Sequence, residues 1–483
     1  MSNPMIDTPG TFRHASSTIA RAIVVVGLLA FSLPARAEAP QMALPSDATL
    51  TRLIDESLAA RPELAKAEAV VHAEQERISQ AGAWPDPMLQ IGIQNDGFTS
   101  IEVGRMETSF VSFMASQTFP WPGKTGLRKD VATLGATQGQ QLLMRARLST
   151  EAEVRRVYLD LLVVRDKVEL LEELAAIWEK SFGVARVRYE AGNGAQSDVL
   201  RAQLEQIRIK QRRIGLEAEE RSRVQGLNRL RHHPLGEPIA TSTRLRDLPP
   251  VAQFADRFSP EQALARSPEL AEARLGTARA ERSVTLAEKS YYPDLVVGTG
   301  VMVRGMLPPM WLVTMGGTLP VFAASKQRRA VAENRAWASA AQDDVAAVEQ
   351  VLRLRSEERR TAFSALVQTI DLYNQGLLVQ SGATSESTLS QYKVGKVTFA
   401  SVLEANSGLI ADRGGYLQAV AAAYRVLIAE AEASLAPTVM PGGDAGASAA
   451  MPGAGSSSME TASGGSTAGG AGPPVTGGSG SGM

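Results

Sequence analysis

The chain of 483 residues contains no cysteine. That excludes disulfides, thiolate metal sites, a cysteine nucleophile and lipid attachment through a cysteine thiol. Histidine is nearly as scarce: there are four, and His14 precedes the expected mature start. The formal net charge is −1, without the basic surplus that marks a nucleic-acid-binding surface, so no nucleic-acid partner is expected. Beyond Ala37 no run approaches the ~18 consecutive apolar residues of a membrane-spanning helix. No nucleophile–base pair, phosphate-binding glycine loop or HExxH motif occurs, so the chain does not read as an enzyme and no cofactor is called for.

The amino terminus has the layout of an export signal. Arg13, His14 and Arg21 precede the apolar run Ala22–Phe31, and Ala35-Arg36-Ala37 supplies the small-x-small cleavage pattern. Residues 1–37 are therefore expected to be a signal peptide cut after Ala37. A mature chain without a spanning helix is then periplasmic, extracellular or an outer-membrane β-barrel.

Duplication dominates what remains. Tyr189-Glu-Ala-Gly192 with Val199-Leu200-Arg-Ala202 returns as Tyr392-Lys-Val-Gly395 with Val402-Leu403-Glu-Ala405, every pair 203 positions apart. Pro62-Glu63-Leu64 returns as Pro268-Glu269-Leu270, Pro85-Asp86 as Pro293-Asp294, and Phe119-Pro120 as Leu319-Pro320. A period near 200 far exceeds the ~20–50 residues of solenoid repeats, so this is a duplicated domain.

Each copy predicts the same elements. A β-hairpin is expected over about 88–119, where Leu89–Gln94 and Val111–Phe119 alternate with period two, and another over about 295–319, across a loop at Gly305–Pro309. In the second hairpin Gly298, Gly300, Thr314, Gly316 and Thr318 alternate with larger apolar residues, as in a barrel wall with one face toward lipid and one toward a lumen. Four strands cannot close a membrane barrel, whose smallest examples have about eight. A coiled-coil hairpin follows each pair of strands, over about 125–230 and 327–435. In the first, residues 125–187 are proline-free and carry a heptad register through Val154, Leu161, Val168, Ala175 and Val157, Val164, Leu171, Trp178. A helix of about 60 residues would reach roughly 90 Å. Turns at Gly192-Asn193-Gly194 and Gly395 reverse the chain, with Ser197 or Asp198 as a candidate helix cap. The expected organisation is thus a first repeat over 38–230, a proline-rich linker over 231–258, a second repeat over 259–436 and a disordered Gly/Ser/Ala-rich tail over 437–483.

Together the export signal, the paired strand hairpins and the paired long helical hairpins with Tyr-x-x-Gly tips resemble the TolC family of outer-membrane efflux proteins. The resemblance spans about residues 46–436 and rests on Gln117-Thr-Phe-Pro-Trp-Pro-Gly-Lys124, on Leu319-Pro-Val-Phe322 with Lys326-Gln327, and on the two tips with their following Val-Leu. The Phe-Pro-Trp-Pro-Gly-Lys stretch looks most like the heavy-metal branch. The resemblance implies a mixed α+β membrane protein in the outer membrane with a large periplasmic portion. In it, a homotrimer closes a 12-stranded β-barrel, four strands per chain, continued by an α-helical coiled-coil barrel. It also implies a periplasmic adaptor (membrane fusion protein) and an inner-membrane resistance–nodulation–division pump as partners. The chain would export passively, with heavy-metal cations as cargo, or alternatively drugs and solvents or type I secretion cargo. The family's latch maps onto Tyr392 and Asp198, with Lys396 at the basic position; an acidic pore ring maps onto Glu404, since Ser401 holds the other acidic place; the adaptor-docking tips map onto Gly192 and Gly395. Weaker constellations remain: His232-His233 reads as a loop pair rather than a metal site, and Met302, Met306, Met310 and Met315 as lipid-facing or loop methionines around the second hairpin.

Overall fold

A computed structural model describes residues 47–438. The expected signal peptide and, but for its first two residues, the expected disordered tail lie outside the described residues. The first repeat runs α1 (Ala48–Ala60), α2 (Pro62–Gly82), β1 (Met88–Gln94), β2 (Phe110–Phe119), α3 (Lys124–Glu190) and α4 (Gln196–Leu230). The second runs α5 (Pro260–Arg266), α6 (Pro268–Lys289), β3 (Leu295–Arg304), β4 (Leu307–Gly317), α7 (Gln327–Leu372), α8 (Leu378–Lys393) and α9 (Phe399–Ala431). No described helix is long and apolar enough to cross a membrane.

The repeated Pro-Glu-Leu triplets start equivalent helices. Pro62 and Pro268 occupy the first turn of α2 and α6, where a missing N–H costs nothing, and Glu63 and Glu269 face the positive helix ends. Ser267 caps α6 by accepting the Leu270 N–H at 3.3 Å.

The four strands form one antiparallel sheet in the order β1-β2-β3-β4, so the two repeats join edge to edge at β2–β3. Successive transverse rows read Ile91, Phe113, Val301, Trp311; then Gln90, Met114, Gly300, Leu312; then Leu89, Ala115, Thr299, Val313; then Met88, Ser116, Gly298, Thr314. One face is thus dominated by large apolar residues, and the other gathers the glycines and polar residues Gln90, Ser116, Gly298, Gly300 and Thr314 beside Met88, Met114 and Leu312. The apolar face is bare: Ile91 is 70% and Trp311 78% exposed. On the opposite face the glycines accommodate neighbours, since a Cβ on Gly298 would lie 2.5 Å from Thr314 Oγ1. The outer edges of β1 and β4 have no partner among the described residues.

The second hairpin is tighter than the sequence predicts. In place of a loop over Gly305–Pro309, the reversal takes Gly305 and Met306, and β4 already begins at Leu307. Pro308 and Pro309 sit at the strand's start, inside a register shift, where a missing N–H breaks no ladder bond. Gly305 is left-handed (φ +61°), and a Cβ there would approach Gly104 Cα to 2.5 Å, so the two hairpin loops touch glycine against glycine.

Where the sheet meets the helices, the Trp-Pro-Gly-Lys segment stitches the repeats together. Lys124, buried at the start of α3, donates to Asp294 Oδ1 at 2.8 Å and to the Tyr292 carbonyl at 2.7 Å. Asp294 also accepts the Trp121 N–H at 2.7 Å, and the Trp121 ring stacks on Tyr292 at 5.1 Å. Burial pushes the Asp294 carboxyl up, but Lys124 and the Trp121 N–H outweigh it and hold the group below its ordinary value.

At 67 residues, α3 is about 100 Å long by helix rise and is the backbone of the fold. Its apolar positions feed three clusters. Val154, Tyr158, Leu161 and Leu162 pack with α1 and α4; Ala152, Leu159 and Val163 with α7 and α9; Leu171, Leu174, Trp178 and Ala185 with the tips of α4, α8 and α9. Each fully buried Leu or Trp contributes on the order of 1.5–3 kcal/mol. The first helix of the hairpin expected over 327–435 is interrupted: Tyr373–Leu377 forms one wider i→i+5 turn between α7 and α8. Tyr373 leans there on α9 at Gly415, where any Cβ would collide with its hydroxyl, and meets the Tyr416 ring edge-on at 6.3 Å.

Candidate functional site

Both helical hairpins turn by the same device. Gly192 (φ +72°) and Gly395 (φ +78°) follow α3 and α8 in the left-handed region that only glycine adopts without strain. In each, the glycine N–H reaches a tyrosine carbonyl three residues back, Gly192 to Tyr189 at 2.9 Å and Gly395 to Tyr392 at 3.0 Å. The next N–H reaches five back, Asn193 to Arg188 at 2.8 Å and Lys396 to Gln391 at 2.9 Å. These paired bonds close the exposed helix ends in the Schellman pattern, and they explain why Tyr-x-x-Gly recurs.

The side chains around the two turns differ. Tyr392 is 2% exposed; its hydroxyl donates to Asp198 Oδ2 at 2.9 Å, bridging the second hairpin to the first. Its ring packs at 5.3 Å on Phe399. Burial, and next the bond to Asp198, push the Tyr392 phenol up to about 12. Tyr189, its counterpart in the first repeat, is 45% exposed.

The basic group of this site is Arg188, which sequence reasoning missed. Its guanidinium lies over the Tyr392 ring, 4.6 Å from the centroid, and donates to the Tyr392 carbonyl and, at 2.8 Å, to the Asn193 carbonyl. Gly395 leaves the space, since a Cβ there would sit 3.3 Å from Arg188 Nη2. Lys396 is exposed and its side chain bonds nothing among the described residues. Arg188 had one sequence signal: at the repeat offset it faces Gln391, as Asp198 faces Ser401, so the charged pair of the first tip has uncharged counterparts in the second.

Glu404 lies exposed in the second turn of α9, and its side chain has no hydrogen-bond or ion-pair partner among the described residues. Deeper in the bundle, Asn406 is buried; it accepts the Ser385 hydroxyl at 2.6 Å and donates to Ser181 at 3.4 Å, tying α3, α8 and α9. These polar groups also escaped the sequence reading, because serine and asparagine on a helix carry no periodic signal. His233 faces Glu237 at 2.9 Å in the linker. Among the described residues no group of three or more His, Asp or Glu is placed to hold a metal ion.

The profile of the outer membrane efflux protein family matches residues 53–232 and 259–436, once in each repeat. Among solved structures, the outer membrane protein VceC of Vibrio cholerae is similar at 17% identity and a TM-score of 0.67, covering 80% of this chain and 96% of its own. CusC, described for its folding and transmembrane channel formation, matches at 16% and 0.67, covering 80% and 92%. The open state of the MtrE outer membrane channel of Neisseria gonorrhoeae matches at 16% and 0.66, covering 81% and 90%. No curated protein matches the chain.

Proposed function

The chain belongs to the outer membrane efflux protein family, and we propose that three copies close a 12-stranded outer-membrane barrel continued by their helices as a periplasmic duct. The observation that carries this reading is the sheet: four strands with two open edges and one bare apolar face, continuous with helices about 100 Å long. In lipid, each unpaired backbone group on such an edge costs several kcal/mol, and closure removes the edges. The duct passes what an inner-membrane resistance–nodulation–division pump and a periplasmic adaptor deliver, and energy comes from the pump. The adaptor docks at the tips around Gly192 and Gly395.

The tips act as the gate. Tyr392, Asp198 and Arg188 hold the second hairpin to the first, with Lys396 free on the outer surface. Glu404 of each copy faces the pore, and a ring of such carboxylates favours multivalent cations. Heavy-metal cations are the cargo this reading favours, supported by the Phe119-Pro-Trp-Pro-Gly-Lys124 resemblance.

The test is metal and drug tolerance of a deletion strain, with wild-type and Glu404→Gln rescues side by side. Loss of copper, silver, zinc, cobalt or cadmium tolerance, restored by wild type and poorly by Glu404→Gln, is the expected outcome. Normal metal tolerance with new drug or solvent sensitivity would move the cargo to organic molecules; unchanged tolerance of both would overturn the export reading.

A further inference from the structure

The internal seam between β2 and β3 is a template for a second seam. β2 ends in Phe119-Pro120 and its following lysine, Lys124, meets Asp294, which directly precedes β3. The duplicated markers are all present at the chain's outer edges: β4 is followed by Leu319-Pro320 and Lys326, and β1 is preceded by Pro85-Asp86. Yet these second copies are unsatisfied. Asp86 and Lys326 are exposed, and neither side chain has an ion-pair or hydrogen-bond partner among the described residues. Lys326 lines the same open groove as Asp294, but the cations acting on Asp294 are Lys124 and Arg128. Around them the apolar side chains are bare: Leu319 is 75%, Val321 80%, Phe322 74% and Trp84 62% exposed. Trp84 holds the place that Tyr292 holds at the internal seam, two residues before the aspartate.

We propose that the seam between copies repeats the internal one: Lys326 of one copy pairs with Asp86 of the next, beneath β4–β1 pairing, with Leu319, Val321 and Phe322 covering the Trp84 region. The occupant of this surface is a second copy of the chain, because the chain itself shows the complementary half at its other edge. The inference rests on the ring assembly proposed above and adds the residues that lock it. It is unlike the internal seam in one respect. Lys124 is the first residue of α3, whereas Lys326 directly precedes α7, two residues further from its Leu-Pro marker, and it keeps a longer reach to a partner outside the chain.

The absence of native cysteine makes the test direct. A chain carrying Asp86→Cys and Lys326→Cys, purified in detergent micelles, is treated with a short bis-maleimide and run on a denaturing gel, with each single variant as control and light scattering reporting assembly. A covalent trimer from the double variant alone is the expected result. Assembly by light scattering without covalent species would overturn the Lys326–Asp86 pairing and leave the ring standing. A monomer by light scattering from the wild-type chain would overturn both. A charge exchange gives a second reading that does not depend on linker geometry. Asp86→Lys and Lys326→Asp should each lower the temperature at which assembled protein dissociates, and the two together should restore it; additive losses would reject the pair.

Discussion

At the residue scale one phenol bridges the two tips. Tyr392 donates to Asp198 only while protonated, and its pKa stands at about 12 in the fold against an ordinary 10.0. A raised value means the folded state favours the proton. The contribution is therefore complete below pH 10 and disappears as pH climbs toward 12. Single-channel conductance in planar bilayers should accordingly be flat up to about pH 10 and rise above it. The combined Tyr392→Phe and Asp198→Ala variant should conduct more at neutral pH and lose this alkaline step; conductance equal to wild type would remove these residues from the gate. Tyr392 and the two glycines could be found from the sequence because they recur at a fixed offset, and Asp198, whose counterpart is Ser401, only through the family resemblance. Arg188 could not be found that way: its importance lies in breaking the repeat, and a pattern search rewards agreement.

At the element scale, strands and long helices were readable because their periods are strict. Alternation placed four strands, and the Val154–Trp178 heptads placed the core face of α3, where Val154, Leu161, Val164, Leu171 and Trp178 are all buried. The i→i+5 turn was unreadable, since Tyr373–Leu377 contains no breaker beyond Gly376 and the turn accompanies a contact with α9 more than thirty positions away. The contact yields a prediction of its own. Gly415→Ala should lower stability by about 1–3 kcal/mol by overpacking against the Tyr373 hydroxyl, and Tyr373→Phe in the same chain should recover part of that loss in thermal unfolding. Equal losses with and without the hydroxyl would mean that the crowding lies elsewhere.

At the scale of the whole molecule, the two repeats are joined by charge as well as by the sheet. Glu432, just past α9, is 3% exposed; it accepts Arg145 at 2.9 Å and also binds Arg156, both on α3, and Arg145 reaches on to Glu269 of α6 at 2.9 Å. Glu432→Gln keeps the shape and removes the charge facing two arginines. It should cost about 1.5–3 kcal/mol in denaturant unfolding, with an unchanged m-value. A loss within a few tenths of a kcal/mol would mark the cluster as solvated and weak. The duplication was plain in the sequence, but these ties were not, since charged residues far apart in the chain announce no partner.

The β2–β3 junction has a kinetic consequence. Every chain folds with one such joint already made, at an effective concentration set by its own linker rather than by its neighbours. In a ring built from these chains, half of the joints form in first-order steps during folding and only the other half wait on encounters in the membrane. Assembly should therefore respond to expression level less steeply than in a ring of unduplicated halves, where every joint is an encounter between strangers.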